Sequence, residues 1–250
     1  MYSFFLDIDG TIFDGTRVAD EVIDAMIRAR EAGHKVFINT ARAYVGMPEQ
    51  VYGLPVDGFV NSYGLEVFAD GKFIYRHSIP RERVIEIAKY AFENEIKMYF
   101  EGEIRIDINN YHEGGLNPAD IVEFEQMLGK HQMSKLVLCD RPTDADKALL
   151  GEEFDFYGIE VIAKGFRKSR GIKTVEDYFG LPHENTVAIG DTDSDIDMIQ
   201  YAGVGISMGN GTPKLKASAK YVTKSYKEFG VAYAIDRLLE GDVMSLEKKA

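Results

Sequence analysis

The chain has 250 residues, of which 45% are apolar and 28% charged, as is ordinary for a soluble globular protein with a buried core. Its formal net charge of −12 disfavours nucleic acid and anionic membranes as partners, because such a surface repels phosphate groups. Neither is therefore expected to bind the chain, and the sequence leaves a monomer and a homodimer open.

The number of cysteines and the first residues of the chain indicate the cellular compartment of the protein. The single cysteine, Cys139, cannot form an internal disulfide, and its place in the apolar run KLVLC predicts a small core residue. The stretch MYSFFLDIDG lacks the basic and apolar segments of a signal peptide, and no apolar run approaches the roughly 20 residues that cross a bilayer. Both observations predict a cytoplasmic protein.

The first elements predict a parallel sheet. Residues 4–6 form an apolar run that predicts a buried strand ending at two carboxylates, Asp7 and Asp9. Helical periodicity at residues 20–33 and an apolar strand at residues 35–39 complete a β-α-β unit. The two strands are expected to be parallel and the crossover right-handed.

After a short strand near Phe59 and Val60, the Asp70-Gly71 dipeptide lies between apolar runs and predicts a hairpin. The pattern then changes at Pro80. A further set of elements follows, with a hairpin turn placed at Glu101-Gly102: helix 81–94, strands 97–100 and 103–109, helix 119–128, strand 135–139, helix 144–150 and strand 158–163. Residues 81–163 are therefore predicted to be a separate α+β domain inserted into a core domain of residues 1–80 and 164–250.

Alternation of strands and helices resumes in the last third of the chain. The predicted elements are helix 171–179, strand 186–189, helix 195–201, strands 204–208 and 221–223, and helix 230–239. The charged tail, residues 240–250, is expected to fray. The fold class predicted for the whole chain is α/β, with a Rossmann-like, mostly parallel sheet core and an inserted α+β domain.

A second acidic motif, GDTDSDID, directly follows the strand predicted at residues 186–189. Asp191 is the first carboxylate past that strand, so it converges with Asp7 and Asp9 if the two strands are neighbours. Close carboxylates repel one another and raise each other's pKa, and a divalent cation relieves that repulsion. Oxygen donors without Cys or His favour Mg²⁺ over Zn²⁺. A calcium loop is rejected, because Ile196 and Ala202 occupy the positions where it needs Gly and Glu.

These residues also have purely structural interpretations. Asp-Gly is common in turns, and aspartates such as Asp193 and Asp197 cap helices or face solvent. Thr40 could be a turn residue and Arg42 a surface charge. Lys168 lies in a basic stretch that would ordinarily be a solvated loop.

Four motifs in order along the chain resemble those of the haloacid dehalogenase-like phosphohydrolases. They are DIDGT at residues 7–11, Thr40 after the second strand, Lys168 ahead of a predicted helix, and GDTDSD at residues 190–195. VIAKGFRKSRGIKTVEDYFGLP and GVGISMGNGTPKLKASAKYVT look like segments of the Cof-type subfamily. The predicted insertion lies where that subfamily carries its C2 cap domain, so the resemblance covers nearly the whole chain.

The resemblance implies a role for each matching residue. Asp7 would be the nucleophile that forms an aspartyl-phosphate, and Asp9 the general acid and base. Mg²⁺ would be held by Asp7, Asp191 and the main-chain carbonyl of Asp9. The implied phosphate-binding residues are Ile8, Thr40, Ala41, Lys168 and Ser194, with support from Thr11, Arg42 and Asp195. The chain departs from the family at Ala41 and Ser194, where Gly and Asn are usual; the serine hydroxyl reaches less far than an asparagine amide.

The predicted function is therefore a Mg²⁺-dependent phosphatase acting on small phosphorylated metabolites, above all sugar phosphates. The cap would select the leaving group, with Glu103, Arg105, Asp107 and the loop of residues 110–113 as candidate contacts. One alternative is a phosphosugar mutase of the same superfamily. Another is a receiver domain that stores phosphate on an aspartate without turnover; the position of Asp9, which promotes hydrolysis, argues against it.

Overall fold

The computed structural model describes residues 1–112 and 115–248. The chain forms two compact units. The first comprises Met1–Ala41, Met47–Tyr75 and the described residues from Arg167 onward, and the second comprises Arg42–Gly46 and Arg76–Phe166. The insertion expected at residues 81–163 lies within the second unit.

The strands and helices of the described residues follow in chain order. The strands are β1 Ser3–Leu6, β2 Lys35–Asn39, β3 Gly58–Asn61, β4 Glu66–Ala69, β5 Lys72–Arg76, β6 Met98–Gly102, β7 Arg105–Ile108, β8 Met133–Leu138, β9 Phe154–Tyr157, β10 Glu160–Ala163, β11 Thr186–Gly190, β12 Val204–Ser207, β13 Tyr221–Val222 and β14 Glu247–Lys248. The helices are α1 Asp20–Glu31, α2 Glu49–Tyr52, α3 Arg81–Glu93, α4 Ile121–Leu128, α5 Asp144–Leu150, α6 Lys168–Phe179, α7 Ile196–Tyr201, α8 Pro213–Ser218 and α9 Gly230–Leu239. Among the described residues, no helix is both long and apolar enough to cross a bilayer.

The first unit is built on a nine-stranded sheet in the order β14-β13-β12-β11-β1-β2-β3-β4-β5. The central strands from β13 to β3 run parallel, whereas β4 pairs antiparallel with β3, and β14 pairs antiparallel with β13. β1 lies between β11 and β2, so the segments that follow these three strands emerge at one edge of the sheet. The condition on which the two acidic motifs were expected to converge, that their strands are neighbours, is therefore met.

The central strands are buried because their side chains are apolar on both faces. Phe5 and Phe37 stack with ring centroids 5.1 Å apart and pack in a cluster with Ile172, Val175 and Met198 of α6 and α7. Alternate residues of β1, Phe4 and Leu6, point to the opposite face and are also fully buried. Each buried phenylalanine contributes roughly 1.5–3 kcal/mol relative to an exposed one, so this core holds β1 firmly in the sheet.

The second unit contains an antiparallel sheet in the order β7-β6-β8-β10-β9. Its apolar core includes Phe100, Phe124 and Leu136, on strands and on α4. Arg42–Gly46 belongs to this unit because the turn at Tyr44–Gly46 packs against β6: a Cβ at Gly46 would lie 2.8 Å from Oε1 of Glu101.

Two predictions for the strands of the second unit were wrong. The turn of the first hairpin is not at Glu101-Gly102, since both residues belong to β6. Glu101 pairs with Lys135 of β8, and a bulge between Glu101 and Gly102 shifts the register so that Gly102 pairs with Met133. Strand β9 was missed, although FDFY carries the alternation typical of a strand.

Two further expectations are overturned. Cys139 is exposed, not a core residue, because β8 ends at Leu138 and the chain leaves the sheet there. The tail does not fray throughout its described part: β14 pairs with β13, and Leu246 is buried. Residues 249–250 lie outside the described residues.

Candidate active site

The site is built on the turn that follows β1. The Asp7 amide donates to the carbonyl of Ile189 at 3.0 Å, which continues the pairing with β11 one residue past the strand. The Ile8 carbonyl then accepts from the amides of Thr11, Ile12 and Phe13, which closes a compact turn. Gly10 adopts φ +77° within this turn, a backbone conformation that favours glycine.

A buried lysine joins two of the aspartates. The Lys168 ammonium lies 2.6 Å from Oδ1 of Asp7 and 2.5 Å from Oδ1 of Asp195. Asp7, Lys168 and Asp195 are respectively 6%, 1% and 0% exposed, so these ion pairs are shielded from water. Such pairs interact strongly because little solvent screens them, and each charge depends on the others for compensation.

Lys168 is the first residue of α6, not a residue of the loop ahead of it as predicted. Its carbonyl accepts from Nδ2 of Asn39 at 3.2 Å, and the amide of Ser169 donates to Asp197 at 2.9 Å. A Cβ at Gly64 would lie only 2.8 Å from the amide nitrogen of Gly171, so the turn after β3 approaches the first turn of α6 at backbone distance. These contacts fix where the Lys168 side chain begins.

Asp195 is a scaffold for the acidic loop. Its Oδ2 accepts from the amides of Asp191 and Thr192 at 3.0 and 2.9 Å, while its Oδ1 faces Lys168. Both carboxylate oxygens are thus engaged. This arrangement suits the supporting role that the resemblance implies for Asp195.

Asp191 has a different set of partners. Thr11 donates to its Oδ1 at 3.3 Å, and Nδ2 of Asn210 faces its Oδ2 at 3.5 Å. Both partners are neutral, so no basic side chain hydrogen-bonds this carboxylate in the described part of the chain. Asp191 is therefore suited to hold a cation.

The donor atoms fit a divalent metal ion. One carboxylate oxygen from each of Asp7, Asp191 and Asp195 lies within 4.8 Å of the other two. Both oxygens of Asp195 already accept hydrogen bonds from protein donors. Asp7 and Asp191 are therefore the carboxylates best placed to bind a metal directly. An all-oxygen set of this kind suits Mg²⁺.

The electrostatics of the site indicate the same need for a cation. Burial raises the pKa of Asp7 to about 7; Lys168 opposes the rise, and Asp195 and Asp191 add to it. Burial and then Asp195 raise the pKa of Asp191 to about 6. Burial alone would lower the pKa of Lys168, but Asp195 and Asp7 outweigh it and hold that pKa above its ordinary value. The lysine stays charged, yet it does not fully compensate the carboxylates.

Four further predicted residues follow the ends of β1 and β2. Thr40 is 1% exposed and follows β2, where its amide donates to Val60 and its carbonyl accepts from Tyr63. Ile8 is fully buried, Asp9 is exposed and Ala41 is half-buried.

Ser194 and Arg42 have contacts of their own. The Ser194 hydroxyl lies 2.8 Å from that of Thr192. Arg42 belongs to the second unit, where its Nη1 donates to the Gly46 carbonyl at 2.9 Å.

Sequence reasoning missed Asn210. Its Nδ2 donates to the Gly10 carbonyl at 2.9 Å, which brings together residues 200 positions apart. The signal available in the sequence was the Asn-Gly dipeptide after β12, which predicts a turn and indicates nothing about a partner.

We expect Gly10→Ala to weaken metal binding. A Cβ at Gly10 would lie 2.2 Å from Oδ2 of Asp191, so the carboxylate must move, and φ +77° would add backbone strain of about 1–2 kcal/mol. Gly15→Ala is the matched control, because Gly15 has φ +96° but no atom within 4 Å of its added Cβ. A titration of unfolding temperature with MgCl₂ checks this; equal Mg²⁺ responses in the two variants would show that the contact with Asp191 is irrelevant.

The profile of haloacid dehalogenase-like hydrolases matches residues 4–235. YkrA of Bacillus subtilis (strain 168), named as a proposed phosphatase, is 29% identical over 248 residues, covering 94% of this chain and 96% of the relative. The 5-amino-6-(5-phospho-D-ribitylamino)uracil phosphatase YitU of the same strain is 27% identical over 259 residues, covering 92% and 95%. The structure of a HAD subclass IIB sugar phosphatase has a TM-score of 0.77 at 24% identity, over 95% of this chain and 99% of that chain.

The parallel sheet with an acidic cluster past β1 and β11 defines an α/β enzyme whose site lies at the carboxyl edge of the strands. The chain belongs to the haloacid dehalogenase-like hydrolases, because the family profile spans most of its length. The predicted family and fold class are thereby confirmed. The predicted enzyme class, a phosphoric monoester hydrolase, is confirmed through the named phosphatases among the relatives.

Proposed function

We propose that this hydrolase is a Mg²⁺-dependent phosphatase that cleaves small phosphorylated metabolites through an aspartyl-phosphate on Asp7. The observation that carries the proposal is the buried Lys168 bridging Asp7 and Asp195, with the Asp191 carboxylate beside them. A nucleophilic carboxylate must approach an anionic phosphate, and Lys168, together with a cation held by the carboxylates, would supply positive charge where they meet. The second unit is proposed to be the cap domain.

The reaction assigns a separate task to each aspartate of DID. An Asp7 oxygen attacks phosphorus while the bond from phosphorus to the leaving oxygen breaks, and Asp9 gives that oxygen a proton. Water then attacks phosphorus, the bond to Asp7 breaks, and Asp9 takes a proton from the water. Asp9 is exposed, as a group that exchanges protons with solvent should be, whereas Asp7 is buried.

Lys168 lowers the pKa of Asp7 against the larger effect of burial and orients its carboxylate, and its ammonium would also face the phosphoryl oxygens. Asp7, Asp191 and the Asp9 carbonyl would hold Mg²⁺, which neutralises charge between nucleophile and phosphate when bound. The proposed phosphate contacts of Thr40, Ser194 and the Ile8 and Ala41 amides complete the arrangement.

The proposed substrate class is phosphorylated sugars and polyols. One relative is named for a substrate that ends in a phosphorylated ribityl chain, and one structural neighbour is a sugar phosphatase. Both names share a phosphate ester on a polyhydroxylated carbon chain. A substrate whose only charge is its phosphate group is repelled less by a protein of net charge −12 than a polyanion would be.

The experiment is phosphate release from a panel of sugar phosphates, polyol phosphates and nucleotides, with and without MgCl₂. Turnover of the first two groups that needs Mg²⁺ supports the proposal. Acid-quenched protein should carry label from a ³²P-substrate transiently. Stable stoichiometric labelling without turnover would instead indicate a receiver, and transfer of label between positions of a bisphosphate a mutase.

Mg²⁺ should raise the unfolding temperature, and the increment should shrink as pH falls. The pKa of Asp7 is raised to about 7 and that of Asp191 to about 6, so protons compete with the cation below pH 7. At a hundredfold excess over its dissociation constant the ion contributes about 2.7 kcal/mol. Differential scanning fluorimetry at pH 8 and pH 5.5 measures this.

The same raised pKa values predict that the stability of the metal-free protein increases as pH falls, opposite to the trend of the Mg²⁺ increment. A carboxyl whose folded pKa is raised binds its proton more tightly when folded, so these two groups add stability as pH falls from about 8 towards 5. Asp191→Asn should abolish most of the Mg²⁺ increment. An increment that is independent of pH, or retained in that variant, would contradict the assignment of the metal site.

A further inference from the structure

Asn210 lies in the loop between β12 and α8, on the far side of β11 from the turn after β1. Sheet order here is β12-β11-β1, and Asp191 follows the middle strand. The Asn210 side chain reaches across that position to the Gly10 carbonyl, at 2.9 Å from Nδ2. It therefore connects the loops of two strands that do not touch each other.

The orientation of the amide is set by a third segment. The main-chain N–H of Tyr226 donates to Oδ1 of Asn210 at 3.0 Å. Since an N–H requires an acceptor, the oxygen must face Tyr226, and the NH₂ group must face Gly10 and Asp191. Its distance of 3.5 Å from Oδ2 of Asp191 is longer than a normal hydrogen bond, so this approach is mainly an electrostatic contact.

The Asp191 carboxylate is thus bounded on both sides. Thr11 donates to Oδ1 and the Asn210 amide faces Oδ2, while the amide of Thr212, two residues after Asn210, donates to the Asp191 carbonyl at 2.9 Å. Loss of a group that orients a metal-binding side chain typically weakens metal affinity 10- to 100-fold.

The geometry points to Asn210 as a positioning residue for the metal site. It fixes the Asp191 carboxylate and the Gly10 carbonyl relative to each other, so that the carboxylate is already oriented before a cation arrives. Asn210 acts through Asp191 and takes no part in the chemical step. This inference rests on the proposed Mg²⁺ site.

The test is the affinity of Asn210→Ala for MgCl₂ without substrate, from titration of the unfolding temperature and from calorimetry. We expect an apparent dissociation constant about tenfold or more above that of the unsubstituted protein. At saturating Mg²⁺, kcat and KM should both stay within about threefold, because the reacting groups are intact. Asn210 is exposed, so the core should fold normally.

Ser225→Ala is the matched control. It removes the 2.7 Å hydrogen bond from Ser225 to Glu228 and so loosens the same turn at Tyr226, but Ser225 touches neither Gly10 nor Asp191. Its Mg²⁺ affinity should equal that of the unsubstituted protein. If Ser225→Ala weakens binding as much as Asn210→Ala, Asn210 only holds the turn, and the inference is wrong.

Two other results would also decide whether Asn210 is a positioning residue. Asn210→Ala with unchanged Mg²⁺ affinity overturns the inference and leaves the proposed function intact, whereas an unsubstituted protein that does not bind Mg²⁺ overturns both. If Asn210→Ala does not fold, Asn210→Ser replaces it, because its hydroxyl is too short to span from Tyr226 to Gly10.

Discussion

Asp7→Asn should eliminate turnover while making the metal-free protein more stable at pH 8. An amide is a poor nucleophile and cannot form the acyl phosphate, so kcat/KM for the best sugar phosphate should fall by at least about a thousandfold. The substitution is isosteric and leaves Lys168 paired with Asp195 at 2.5 Å. Loss of activity would therefore not reflect a collapsed site.

The gain in stability follows from the raised pKa of Asp7, about 7. At pH 8 the buried carboxylate is charged at a free-energy cost that the neutral asparagine avoids. Below pH 6 the wild-type carboxyl is itself protonated, so the difference between the two proteins should vanish. Chemical denaturation at pH 8 and pH 5.5 measures both free energies of unfolding.

Asp14→Asn makes the same chemical change seven residues later and should do the reverse. The amide and hydroxyl of Thr16 and the amide of Arg17 hydrogen-bond the Asp14 carboxylate at 2.6–2.8 Å. The Thr16 hydroxyl contributes most to lowering the pKa of Asp14 to about 2. This variant should keep full activity and lose a little stability. Equal changes in the free energy of unfolding of the two variants would show that the charge of Asp7 does not destabilise the folded state.

Most of the site follows from local sequence, because strand ends are local features. Asp7 and Asp191 each follow an apolar run, and neighbouring parallel strands then bring them together without further information. The pairing of β1 with β11 itself had to be assumed, because local sequence does not determine which strands are neighbours. Local sequence also located the hairpin at Asp70-Gly71, where both residues adopt positive φ.

What could not be anticipated depends on contacts between distant segments. The start of α6 at Lys168 rests on the approach of Gly64 to Gly171, and both glycines look like ordinary loop or helix residues in the sequence. Asn210 is similar, since its partner Gly10 lies in another loop. The exposure of Cys139 depends on where β8 ends, a boundary that an apolar run does not determine.

Lys168→Met should destabilise the protein more than any other single substitution considered for this site. The methionine keeps the length and apolar stem of lysine but leaves two buried carboxylates, Asp7 and Asp195, without their shared cation. Removing one partner from a buried ion pair typically costs about 3–5 kcal/mol. Activity should fall at least about a hundredfold as well, because the phosphoryl group loses a positive charge.

The pH dependence of the free energy of unfolding identifies why Lys168→Met is less stable. Without the ammonium, the pKa of Asp7 loses the effect that opposes its rise, so a proton replaces the missing charge there as pH falls. A carboxyl whose pKa is raised in the folded state contributes stability at low pH and loses that contribution as pH rises through the folded pKa. The loss in free energy of unfolding caused by Lys168→Met should therefore be largest at pH 8 and smaller at pH 5.5. A loss of packing alone would be independent of pH.

Mg²⁺ and a second lysine complete the test. Added MgCl₂ should raise the unfolding temperature of Lys168→Met more than that of the unsubstituted protein, because the ion offsets the uncompensated carboxylates without restoring activity. Lys173→Met, on the same helix, removes an exposed pair with Asp177 and should change the free energy of unfolding by less than about 1 kcal/mol. If the two methionine variants unfold alike at pH 8, the buried Asp7–Lys168–Asp195 cluster does not hold the site together.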